Sequence, residues 1–110
     1  MQIEITSHPA DQYQKGTFCH NNRTYKFTAL IFEDASQYGI NGGRISKLSA
    51  KEFITLPEGF STPKGGNRIY ADTWAFVYNR GWDGGEPTGE AGEIARLLVA
   101  KLEAIAAELV

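Results

Sequence analysis

Two arginines stand inside glycine-rich segments that also carry aromatic residues. Arg44 closes Tyr38-Gly39-Ile40-Asn41-Gly42-Gly43-Arg44, and Arg80 lies within Tyr78-Asn79-Arg80-Gly81-Trp82-Asp83. A guanidinium fork grips a carboxylate or phosphate through two parallel hydrogen bonds. If the two segments meet in space, Asp83 can pair with an arginine and tie the loops together, or one arginine stays free to hold a ligand. Glycine and asparagine reach positive φ cheaply, so Asn41, Gly42 and Gly43 can form a tight loop whose amides would cradle an anion. The pattern matches neither G-x-x-x-x-G-K-S/T nor G-x-G-x-x-G, and a strand is expected after it where those motifs need a helix. A structural turn that delivers Arg44 to a strand is therefore the favoured reading. Trp82, between Gly81 and Asp83, suits either a hot spot for a partner or a cover over the end of the core.

Other reactive side chains are sparse. Cys19 and His20 are neighbours on an expected strand and so point to opposite faces. No second cysteine gives the spacing of a zinc site. Glu33-Asp34 and Glu86 with Glu90 read as solvated loop and helix-cap acids, and no G-x-S-x-G or H-E-x-x-H motif occurs. No catalytic residue, metal ligand or cofactor is expected, and an enzyme ranks behind a binding protein.

The 110 residues are enough for one domain spanning 1–110 with its own core. A hydrophobic fraction of 42% against 22% charged argues for a globular chain over a disordered one. With net charge −2 and pI near 5.6, the molecule has no overall pull toward nucleic acid or an anionic membrane, and a local basic patch stays open. A single cysteine allows no intrachain disulfide and suits a reducing compartment. The start of the chain lacks a basic, apolar leader, and no apolar run nears the roughly 20 residues of a membrane span. A cytoplasmic protein without membrane contact is the expectation.

These residues must be positioned by strands and one helix. Gln2–Thr6 alternates as a short edge strand that Ser7-His8-Pro9 ends. Residues 10–15 read as loop. Gly16–His20 and Arg23–Glu33 form a hairpin around Asn21-Asn22, with Phe18 opposite Tyr25 and Gly16 opposite Phe27. Ala29-Leu30-Ile31-Phe32, apolar on both faces, predicts a strand covered twice. Residues 44–49 predict a strand with a bulge, since Ile45 and Leu48 break alternation. Residues 51–68, with two prolines and three glycines, read as an irregular excursion. Residues 69–78 read as one strand with Trp74 in the core. Thr88 is a candidate N-cap for a helix over 89–108, whose stripe is Ile94, Leu97, Leu98, Leu102, Ile105 and Leu109. The fold class is thus α+β: an antiparallel sheet of four or five strands with the C-terminal helix packed on one face.

Ser36-Gln37-Tyr38-Gly39-Ile40-Asn41-Gly42-Gly43-Arg44-Ile45-Ser46-Lys47-Leu48, followed by Tyr78-Asn79-Arg80-Gly81-Trp82-Asp83, resembles a family of small uncharacterised domains found in bacteriophages and prophages. The likeness runs from about Gly16 into the helix. It departs from the family pattern at Asn79, where an acid is expected, and in the longer 51–68 segment. The resemblance implies a phage or mobile-element origin and no particular activity. The expected function is a non-enzymatic phage or prophage accessory protein. It would bind a protein partner through Tyr38, Asn41, Gly42, Gly43, Arg44, Arg80, Trp82 and Asp83. The alternative is a nucleic-acid-binding module using Arg23, Lys26, Arg44, Lys47 and Arg80, which the acidic pI disfavours. Homo-oligomerisation is left open.

Overall fold

The computed structural model describes residues 2–8 and 10–109, with the backbone alone at 107–109. Pro9, expected to end the first strand, and the Leu109 side chain, expected on the helix stripe, lie outside the described residues. The elements are β1 (Gln2–Ile5), β2 (Tyr13–His20), β3 (Arg23–Ile31), β4 (Ile45–Thr55), β5 (Arg68–Tyr70), β6 (Phe76–Asn79) and α1 (Gly89–Leu109). The sheet order is β1-β2-β3-β4-β5, and β6 pairs with β4 as well. Every pairing is antiparallel. The architecture is α+β, an antiparallel sheet with one helix on one face.

The β2–β3 hairpin follows from its turn. Asn21 and Asn22 adopt φ of 50° and 64°, the positive values a two-residue turn needs. That turn sets Phe18 opposite Tyr25 and Gly16 opposite Phe27. A Cβ at Gly16 would collide with the Glu4 carbonyl, so glycine lets β1 and β2 approach. The expected bulge in β4 is also present. Ile45 pairs with Ile31 and Lys47 with Leu30, which leaves Ser46 as the extra residue and lets both Ile45 and Leu48 bury.

Several boundaries differ from expectation. Residues 13–15 are strand rather than loop, because β3 runs far enough to pair Tyr13 with Leu30. Residues 51–55 continue β4 instead of opening an excursion, and the irregular segment shortens to 56–67. There Leu56 still donates to the Asn67 carbonyl at 2.7 Å, extending the β4–β5 hairpin. The 69–78 segment splits in two, giving six strands. Ala71 donates to Glu52 and Ala75 to Ala50, so the 71–75 loop spans only Lys51 and Glu52 of β4. This wide insertion ejects Trp74, expected in the core, which is 46% exposed.

The core lies between the sheet and α1. Ile94, Leu98 and Leu102 pack with Phe18, Phe27, Leu48, Phe76 and Tyr78. Ala95 and Ala106 are buried too, whereas Leu97 is exposed and Ile105 only half-buried. At roughly 100° per residue, the buried row centres on the alanine side of the expected stripe, and small residues there let the helix sit close to the sheet. The double cover expected for residues 29–32 is not present: Phe32 is exposed. Leu30 is buried on the open face between its cross-strand neighbours Tyr13 and Lys47.

Candidate functional site

Antiparallel pairing brings the two arginine segments together. Lys47 near the start of β4 stands opposite Asn79 at the end of β6, so the loops entering β4 and leaving β6 share one corner. Tyr78 Oη donates to the Tyr38 carbonyl at 2.8 Å across that corner. The Arg80 guanidinium lies 5.6 Å from the Tyr38 ring centroid, a cation–π arrangement. Arg80 N–H donates to the carbonyl of Ser46, the bulge residue, at 3.0 Å.

The loop before β4 is held by its own backbone. Gly39 N–H donates to Ser36, Gly42 N–H to Gly39 and Gly43 N–H to Ile40, each at 3.0 Å. Ile40–Gly42 make two overlapping tight turns in which Asn41 takes a left-handed, non-helical conformation at φ 54°, and Gly42 follows at φ 71°. A Cβ at Gly39 would strike the Gly43 carbonyl. The three glycine amides are therefore consumed inside the loop, which favours the structural turn over an anion cradle. Ile40 is driven into the core and anchors the loop.

Arg44 is latched to the helix through its backbone. Its N–H donates to Glu103 Oε1 at 2.7 Å, a charge-assisted bond across 59 residues of sequence. Glu103 is the residue that sequence reading missed. Its only local signal is an acid next to the buried stripe residue Leu102. The guanidinium Nη1 of Arg44 is buried without a hydrogen-bond partner among the described residues.

Residues 78–82 close a tight turn in which Tyr78 and Trp82 form an isolated antiparallel bridge. Arg80 sits at its tip with φ 59°, a left-handed conformation uncommon for a non-glycine residue. Trp82 meets Tyr78 edge-on at 5.0 Å and Phe76 at 6.2 Å. It is half-buried and so both covers the core and faces outward. Asp83 is exposed, and no ion pair joins it to Arg44 or Arg80. The ion pairs among the described residues are His20–Glu93 at 4.0 Å and Arg23–Glu90 at 3.9 Å. The Asp83 fork is thus replaced by backbone hydrogen bonds, the Glu103 latch and ring contacts.

Between the corner and α1 lies a cleft of about 200 Å³, lined by Ile40, Asn41, Trp82, Ala95, Arg96 and Val99 among others. Tyr38, 52% exposed, and Arg80 belong to the same corner. The alternative nucleic-acid set does not assemble. Arg23 lies by the Asn21-Asn22 turn, at the end of β3 remote from the corner, where the Tyr25 hydroxyl and the Glu90 carboxylate raise its pKa above the ordinary value. Burial pushes the Tyr25 phenol up as well. Lys26 and Lys47 sit on the face of the sheet away from α1, and Arg44 and Arg80 at the corner.

Fold and corner together define a small antiparallel sheet-and-helix domain presenting a backbone-locked arginine and tyrosine. The chain belongs to the family described as Domain of unknown function (DUF7678), whose model matches residues 12–103. That span holds both arginine segments and the Glu103 latch. No curated protein and no solved structure matches the chain. No helix among the described residues is long and apolar enough to cross a membrane.

Proposed function

We propose that the chain is a phage or prophage accessory protein, acting in the host cytoplasm, that works by binding another protein at the Tyr38–Arg80 corner. The observation that carries this is the exposed Tyr38 ring with Arg80 against it, at the same corner as a cleft lined by Trp82. Tyrosine, tryptophan and arginine are the side chains on which binding energy concentrates. A loop locked by its own hydrogen bonds loses little conformational freedom on association. An apolar side chain of the partner would fill the cleft, and a partner carboxylate would meet Arg80. The phage assignment rests on the Gly39–Leu48 and Arg80–Asp83 motifs.

Capture from host lysate by the tagged protein, with and without nuclease, tests this against Tyr38→Ala and Arg80→Ala. Both side chains are exposed, and the Tyr38 carbonyl that receives Tyr78 survives truncation. The expected result is a nuclease-resistant partner lost from both folded variants. A partner retained equally by both variants would refute the corner as the interface.

A further inference from the structure

The sheet face turned away from α1 has a chemistry unlike the rest of the chain. Across the strands, Tyr13 stands beside Leu30 and Lys47, Lys15 beside Thr28 and Ser49, and Thr17 beside Lys26 and Lys51. Next come Cys19, Thr24, Phe53 and Tyr70, and then Thr55 beside Arg68. Lys15, Lys26, Lys47, Lys51 and Arg68 therefore share one open surface with Tyr13, Phe53 and Tyr70 among them. Glu4, at the edge opposite Thr17, is the acid that the described strands place there. Among the described strand residues, five cations fall on this face against one acid, so the net charge of −2 sums unlike surfaces.

Lys26 and Lys51 are direct cross-strand partners. Like charges placed so oppose each other, and neither forms an ion pair among the described residues. Each instead lies over a ring. Lys26 Nζ is 4.2 Å from the Tyr70 centroid, Lys51 Nζ is 5.1 Å from Trp74, and the Arg68 guanidinium is 4.9 Å from Phe53. Tyr70 and Trp74 remain 38% and 46% exposed. Uncompensated cations interleaved with flat, accessible rings complement a polyanion that also offers flat faces.

We propose that this open face binds single-stranded nucleic acid. Lys15, Lys26, Lys47, Lys51 and Arg68 neutralise phosphates, while Tyr70 on the face and Trp74 at its edge, beside Lys51, stack bases. Stacking needs bases freed from a duplex, whose paired bases hide their faces. With strands about 4.8 Å apart, β2 to β5 spans roughly 14 Å, room for two or three stacked bases. The site shares no residue with the Tyr38–Arg80 corner.

Fluorescence anisotropy tests it, using labelled oligothymidine of about 20 nucleotides and a duplex of equal length, at roughly 50 and 200 mM salt. The single strand should bind more tightly than the duplex, and its affinity should fall as salt rises. Lys26→Gln combined with Lys51→Gln should reduce the slope of log affinity on log salt by about 1.4, at roughly 0.7 per phosphate contact. Tyr70→Ala and Trp74→Ala should each weaken the single strand about 5- to 150-fold with little change in slope. If Tyr70→Ala does not fold, the more exposed Trp74→Ala carries this arm. Absence of single-strand binding at the lower salt overturns the proposal. So does equal affinity for duplex with no effect of the folded ring variant, or equally effective competition by polyglutamate.

Discussion

The latch between the signature loop and α1 gives a quantitative test of how the corner is held. A Cβ at Gly43 would collide with Glu103 Oε1 and lie 3.1 Å from the Ile40 carbonyl. The backbone at Gly43, φ −91°, suits any residue, so the cost of Gly43→Ala comes from these neighbours. The main one is the carboxylate that accepts Arg44 N–H at 2.7 Å. A hydrogen bond to a charged group contributes about 1.5–3 kcal/mol, and partial exposure of Glu103 places this one near 1.5 kcal/mol. Gly43→Ala alone should cost about that much by displacing the carboxylate, and Glu103→Ala alone a similar amount by leaving Arg44 N–H unpaired. The double variant should cost little more than either, because both remove one bond. The coupling energy is then about 1 kcal/mol or more, within the range for residues in contact. Urea denaturation at constant slope reads each term from the midpoint. Costs that add to within about 0.5 kcal/mol would show that the latch does not exist as described.

Leu102→Ala should destabilise by about 2–5 kcal/mol, since Leu102 is fully buried in the core cluster, whereas the exposed Leu97→Ala should change stability by less than about 0.5 kcal/mol. Equal effects in thermal melts would contradict the rotation of the helix on the sheet. Gly42→Val should cost about 1–3 kcal/mol through backbone strain alone, because Gly42 has φ 71° and nothing lies within 4 Å of its Cβ position. A Gly42→Val melting temperature equal to wild type would mean that the turn tolerates a different backbone conformation.

Local signals made much of this protein legible. The Asn21-Asn22 turn and the alternation around it specify the β2–β3 register, because turn geometry and the two-residue strand period are local properties. The helix and a bulge within residues 44–49 were equally readable from spacing, and the structure puts that bulge at Ser46. The meeting of the arginine segments followed from antiparallel pairing, which sets the start of one strand beside the end of its neighbour. Tertiary structure decided the rest, since long-range geometry has no local signature. Trp74 continues the alternation of Phe76 and Tyr78, yet a five-residue loop set against two residues of β4 turns it out to solvent. Glu103 reads as one more helix acid until packing carries it to Arg44 N–H. The net charge of −2 conceals a basic, aromatic sheet face. A sum over the sequence cannot record which side of a sheet each charge occupies, and that depends on registers spanning five strands.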